Sequence, residues 1–97
     1  MTFEELIKSN KIVLVDFFAE WCGPCQTMKP ILQQLKQSVG DSAKIVKIDV
    51  DRFRELSTQY QIRSIPTIIL FNEGEPVWRH SGIASTRDLI NLIEQNK

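Results

Sequence analysis

Trp21-Cys22-Gly23-Pro24-Cys25 is the stretch that decides the fold of this sequence, because it places the chain's only two cysteines between two predicted secondary-structure elements. Before it, Ile12-Val13-Leu14-Val15 is a β-branched apolar run typical of a buried parallel strand. After it, apolar residues recur at helical spacing, namely Met28, Ile31, Leu32, Leu35 and Val39. The cysteines are therefore predicted to lie where a strand passes into a helix, at the edge where open α/β sheets meet their ligands.

The composition is that of one small domain, and we predict a single domain over residues 1–97. Hydrophobic residues make up 42% of the chain, which is enough to build an apolar core. The 12 basic and 12 acidic residues form no long run of one sign, which argues against nucleic acid or an anionic membrane as a partner. The N-terminus lacks the pattern of a secretory signal, and no apolar run is long enough to span a membrane. We therefore expect a cytoplasmic protein.

The order of predicted elements indicates an α/β fold. Thr2 and Glu5 have the spacing of a capping box that opens a short first helix. The next elements are a strand at 12–18, a helix at about 23–39, a strand at 44–50 and a helix whose inner face is Phe53, Leu56 and Tyr60. A strand at 67–71 follows, then a turn at 72–75, a strand that ends at about Ser81, and a last helix capped by Ser85 or Thr86. This order predicts a central mixed four-stranded sheet flanked by helices on both faces.

The sequence resembles the thioredoxin family. The motifs that carry the resemblance are Phe17 to Cys25 (FFAEWCGPC), Asp16 before it, Ile65-Pro66-Thr67 and Gly82. The similarity extends over nearly all the chain and implies a thioredoxin fold, here without the family's usual extra N-terminal strand. It also implies a protein that reduces disulfides in client proteins and is reduced again by a thioredoxin reductase, with no cofactor besides its own Cys22–Cys25 disulfide. Because the extra strand is missing, we predict a bare edge on strand 44–50 and a monomer.

The positions of the two cysteines suggest their roles. A thiolate attacks a disulfide, and Cys22 would lie at a helix N-terminus, where unpaired N–H groups and the helix dipole lower the pKa of its thiol. Cys25 would then be held beside the mixed disulfide, which gives it a large effective molarity. Pro24 presets a helical φ in the first turn, and Gly23 allows close backbone approach. We therefore predict that Cys22 attacks and Cys25 resolves.

Other site residues are predicted from their surroundings and from the resemblance. Asp16 follows four apolar residues, so burial should raise its pKa, and the resemblance makes it a proton relay beneath Cys25 with Lys47 nearby. The alternative for Asp16 is a solvated acid at a strand end, and the alternative for Lys47 is a solvated lysine on a strand. The resemblance also implies a cis peptide bond before Pro66 and pairing of the Ile65 backbone with an extended client segment. The implied docking surface consists of Trp21, Ile65, Pro66 and Gly82, while Ile83 fits this surface and the core equally well.

Competing functions differ in what they require of the sequence. Zinc takes four ligands, and beyond the cysteine pair only His80 is available among cysteines and histidines, so we predict no metal. Oxidases and isomerases of similar chemistry usually carry histidine where this chain has Gly23-Pro24. A thioredoxin-fold binding module or subunit without thiol turnover stays open, and cysteine-to-serine variants would separate it from a reductase. Phe18 and Gln26 depart from the family pattern, which usually has tryptophan and a basic residue there.

Overall fold

The secondary structure follows the predicted order throughout. The computed structural model describes all residues from 1 to 97. Its helices are α1 (Phe3–Ser9), α2 (Gly23–Val39), α3 (Arg54–Gln59) and α4 (Thr86–Asn96), with a 3₁₀ turn at Gly40–Ser42. Its strands are β1 (Ile12–Phe18), β2 (Lys44–Asp49), β3 (Thr67–Asn72) and β4 (Glu75–Ser81). None of the helices combines the length and the apolar character needed to cross a membrane.

The strands form one mixed sheet in the order β2-β1-β3-β4. β1 is parallel to β2 and antiparallel to β3, and β4 is antiparallel to β3. This confirms the four-stranded mixed sheet and places β2 at one edge. β1 is buried along its whole length because it is a central strand covered on both faces, which explains its nearly continuous apolar sequence.

Helices cover both faces of the sheet, as predicted. On one face, Leu14 and Leu70 belong to a core with Met28 and Leu35 of α2 and Leu89 of α4. On the other face, alternate strand residues meet α1 and α3 in a second core, which contains Ile7, Val13, Val15, Phe17, Ile48, Ile69 and Phe71. The two-residue period of the strands separates the two cores.

The helix ends use the residues that the sequence singles out. Thr2 Oγ1 accepts a hydrogen bond from the Glu5 N–H, and Glu5 Oε1 accepts one from the Thr2 N–H, both at 3.1 Å, so the capping box is formed. Ser85, rather than Thr86, caps α4. At the C-terminus of α2, Gly40 has a φ of +55°, a conformation that side chains rarely adopt.

Two apolar residues that were considered for the core, Phe53 and Ile83, are exposed. Phe53 was predicted on the inner face of a helix, but it precedes α3 and is 50% exposed. The reason is a turn in which the Phe53 N–H donates to the Asp49 carbonyl oxygen at 2.9 Å, so the helix begins one residue later. Ile83 is 46% exposed, so its alternative assignment to the core is wrong.

Candidate active site

The two cysteines lie at the start of α2 and are joined by a disulfide bond. Cys22 is the N-cap residue, and its Sγ accepts a hydrogen bond from the Cys25 N–H at 3.2 Å. Pro24 sits in the first turn, where an N–H would have no helical partner. Both cysteines are almost fully buried, at 5% and 2% exposure. The sulfur of Cys22 is therefore within reach of an N–H group that would also stabilise a thiolate.

An apolar wall surrounds the disulfide. Phe18, the last residue of β1, and Ala19 after it form a cluster with both cysteines, and Val50 and Ile65 pack against it. On the outside of this wall, the Lys47 ammonium nitrogen lies 4.5 Å from the centre of the Phe18 ring, a cation–π distance. Phe18 thus keeps the wall apolar at a position where the family usually has tryptophan.

Asp16 is a buried acid in the middle of the sheet. It is 1% exposed, and its Oδ1 atom has no hydrogen-bond partner. Burial raises the pKa of Asp16 to about 6, while the positive charge of Lys47 acts in the opposite direction. Lys47 is the β2 residue paired with Asp16 in the parallel register, and it is exposed. The predicted burial and the raised pKa of Asp16 are both present, and it is not the solvated acid of the alternative interpretation.

The segment before β3 approaches the disulfide from another side. The Ile65–Pro66 peptide bond is cis, as the family resemblance implied. The carbonyl oxygen of Ile65 lies 3.8 Å from Cys22 Sγ. The Gly82 N–H donates to the Pro66 carbonyl oxygen at 2.8 Å, which brings the end of β4 to the same place. Gly82 has a φ of +100°, so a side chain there would be strained.

Trp21 lies on the surface immediately before Cys22 and is 74% exposed. Its indole Nε1–H donates a hydrogen bond to Asp51 Oδ2 at 2.9 Å. Asp51 belongs to the loop between β2 and α3 and was not among the predicted site residues. No sequence pattern joins two residues 30 positions apart, so the sequence held no signal for this pair. On the other flank, the Gln26 side-chain amide donates to the Glu20 carbonyl oxygen at 3.2 Å.

Most of the candidate residues lie around the disulfide. Cys22, Gly23, Pro24 and Cys25 form the centre, Ile65 packs against the cysteine cluster, the Gly82 N–H is bonded to Pro66, and Trp21 precedes Cys22 in the chain. Asp16 and Lys47 are paired on β1 and β2, and Lys47 lies over the Phe18 ring of that cluster. Nowhere are three His, Cys, Asp or Glu side chains grouped so as to hold a metal ion. His80 lies apart on β4, with its ring stacked on Trp78.

Comparison with known proteins identifies the family. The thioredoxin family model matches residues 1–95. A thioredoxin-like protein of Synechocystis is 47% identical over 91 residues, which cover 94% of this chain and 87% of that protein. Thioredoxin Y of rice, named as chloroplastic, is 47% identical over 94 residues, and the match spans 96% of this chain but only 56% of the rice protein.

Two further matches extend the comparison. A mutant thioredoxin of Halobacterium salinarum has a structure that superposes with a TM-score of 0.88 at 38% identity, covering 96% of this chain and 80% of that one. A bifunctional thioredoxin reductase/thioredoxin of Mycobacterium leprae is 41% identical over 95 residues, and the match covers 94% of this chain and 21% of that protein. With its fold, its Cys22–Cys25 disulfide and these relatives, the chain belongs to the thioredoxin family of thiol–disulfide oxidoreductases.

Proposed function

We propose that this chain reduces disulfide bonds in client proteins, with Cys22 as the attacking residue and Cys25 as the resolving residue. The observation that carries the proposal is the position of Cys22 as the N-cap of α2, with its sulfur accepting the Cys25 N–H. Once the disulfide is reduced, the same N–H and the helix dipole favour a negative charge on Cys22. Cys25, one turn further along α2, is held beside it.

The exchange takes place in two balanced steps. The Cys22 thiolate attacks one client sulfur, forming a mixed disulfide and releasing the other client sulfur as a thiolate, which takes up a proton. Cys25 loses its proton and attacks Cys22 Sγ, which restores the Cys22–Cys25 disulfide and releases the second client thiolate. Two electrons pass from this protein to the client, and the disulfide form seen here is the product of that reaction.

Asp16 supports the second step as the proton acceptor for the Cys25 thiol. A general base works best when its pKa lies near the ambient pH, and a pKa of about 6 brings Asp16 much closer to neutrality than an ordinary aspartate. Lys47 limits this rise in pKa, so Asp16 stays mostly ionised at neutral pH and can accept a proton, and we place Lys47 in a supporting role.

Clients dock on the surface formed by Trp21, Ile65 and Gly82, while Pro66, which follows Ile65, is buried and supports this surface from inside. Trp21 supplies an exposed aromatic face, and the half-buried Ile65 supplies backbone groups before β3 begins. An extended client segment that pairs with the Ile65 backbone would bring its disulfide to Cys22, because the Ile65 carbonyl oxygen is only 3.8 Å from that sulfur.

A thioredoxin reductase regenerates the dithiol in this proposal. The reductase/thioredoxin of Mycobacterium leprae supports it, since one chain there joins the two activities in its name. We place the 97-residue domain in the cytoplasm, where thiols are kept reduced, and propose that it acts as a monomer, without nucleic acid or membrane as partners.

Trapping of mixed disulfides tests the assignment of the two cysteines. The Cys25→Ser variant should accumulate covalent adducts with disulfide-containing proteins, because nothing then resolves the bond to Cys22. The Cys22→Ser variant should give none, and the double serine variant serves as the control for non-covalent binding. Equal trapping by both single variants would contradict the roles of the two cysteines. A double serine variant that still performed the function of the protein would favour a binding module without thiol turnover.

A further inference from the structure

Trp21 is the largest exposed side chain beside the disulfide, and a single polar contact holds its indole ring. The ring is 74% exposed, and its Nε1–H donates to Asp51 Oδ2 at 2.9 Å. An exposed indole without this bond could take several rotamers. The bond therefore selects one orientation of the ring in the free protein.

The acceptor belongs to a loop that is itself well fixed. Asp49 Oδ1 accepts the Asp51 N–H at 2.9 Å, and the Asp49 carbonyl oxygen accepts the N–H groups of Arg52 and Phe53 at 3.1 and 2.9 Å. The Val50 N–H donates to the Phe18 carbonyl oxygen at 2.8 Å, which ties the same loop to the end of β1. Asp51 is thus held by the sheet that carries the active site.

We propose that Asp51 is a positioning residue that presets the Trp21 indole for docking of protein clients and so favours them over small disulfides. The inference rests on the proposed function, because it assigns Trp21 to the client surface. A side chain that is ordered before binding loses less conformational entropy when the client docks. A small disulfide that reaches Cys22 without covering the indole gains nothing from this order.

The size of the effect follows from the cost of ordering one large side chain on binding. Loss of the preset orientation should slow reaction with a protein disulfide by about two- to tenfold and leave a small disulfide unaffected. Asparagine at position 51 keeps an oxygen acceptor but removes the charge. It therefore separates a hydrogen bond from electrostatic steering of clients, which would act through the charge alone.

The experiment compares Asp51→Ala, Asp51→Asn and the wild type after reduction and removal of the reductant. Second-order rate constants are measured with insulin as the protein disulfide and with 5,5′-dithiobis(2-nitrobenzoic acid) as the small one. Asp41→Ala, which removes an exposed acid in the 3₁₀ turn, is the matched charge control. Hydrogen exchange of the Trp21 indole N–H, followed by NMR, reports directly on the bond to Asp51.

We expect Asp51→Ala to react more slowly with insulin only and to exchange its indole proton faster, while Asp51→Asn and Asp41→Ala behave like the wild type. Unchanged insulin rates in Asp51→Ala would overturn the inference and leave the proposed function standing. If Asp51→Asn reacted with insulin as slowly as Asp51→Ala, the charge of Asp51 would act by electrostatic steering of clients, and the positioning role would be wrong. Equal slowing of Asp51→Ala with both substrates would show general damage to the active site and would also contradict the inference. A wild type that reduces neither substrate would instead overturn the proposed function itself.

Discussion

At the scale of single residues, Asp16 is a buried acid with one carboxylate oxygen that has no hydrogen-bond partner. Burial raises its pKa to about 6 from an ordinary 3.8, so the folded protein binds the proton more tightly than the unfolded chain. The contribution of Asp16 to stability should therefore fall as the pH rises from about 4 to about 6 and stay reduced above that. The difference of about 2.2 pH units corresponds to about 3 kcal/mol.

Replacing Asp16 by alanine should remove this pH dependence. Relative to the wild type, the free energy of unfolding of Asp16→Ala should increase by about 2 kcal/mol between pH 4 and pH 7, because the uncompensated charge is gone. At pH 4 the variant has no such advantage and loses some packing. Urea unfolding at several pH values measures the difference, with Asp41→Ala as an exposed control. A difference that does not vary with pH would show that Asp16 is not a buried titrating group.

Lys47 gives a second prediction about the same acid. Its charge lowers the pKa of Asp16, so Lys47→Met should let that pKa rise further above about 6 while keeping most of the side-chain volume over Phe18. NMR titration of the Asp16 carboxyl carbon measures the shift. Lys44→Met is the matched control, since Lys44 lies on the same strand but pairs with Val13. Equal shifts in both variants would mean that Lys47 acts only through the net charge.

The sequence identified some site residues and missed others for physical reasons. Burial of Asp16 could be predicted because four apolar strand residues precede it, and the position of the cysteine pair at the start of a helix could be predicted from the apolar spacing after it. Asp51 could not be found, because its importance depends on a tertiary hydrogen bond to Trp21. Lys47 was found through the family resemblance, but its contact with the Phe18 ring depends on the register of β2 against β1.

At the scale of secondary-structure elements, the ends of long periodic segments were predictable, whereas the shortest helix was predicted but its ends were not. α2 begins at Gly23 and ends at Val39 as expected, because a buried stripe, a proline in its first turn and a final glycine all agree. α3 has only six residues, so Phe53 and Tyr60 fall outside it even though they continue its spacing. Tyr60 still packs on Phe3 and Phe71, whereas Phe53 points towards solvent.

Helix α4 packs against α2, and its N-terminal cap provides a test at this scale. Ser85 Oγ accepts the Asp88 N–H at 3.1 Å, so Ser85→Ala should lower the free energy of unfolding by about 1 kcal/mol. Reduction of small disulfides should be unchanged, because the residue is remote from the cysteines in the sequence and makes no bond to them. Thermal unfolding of Ser85→Ala and of Ser38→Ala, an exposed control on α2, measures the effect. Equal stability of both variants would show that the cap contributes nothing.

At the scale of the whole molecule, the sheet has an uncovered edge. β2 pairs only with β1, so one row of its backbone groups has no strand partner. Exposed edges invite pairing with another chain, and charged side chains commonly oppose it. Lys44 and Lys47 are exposed on β2, and Asp49 and Asp51 follow them, so charged side chains of both signs line this edge.

We therefore expect the protein to be a monomer in solution. Light scattering across a wide concentration range should give the mass of one chain, 11.2 kDa, throughout. Lys44→Val, which replaces one edge charge by a residue with high strand propensity, should self-associate more than the wild type. A wild-type dimer that persists on dilution would show that the β2 edge serves assembly instead.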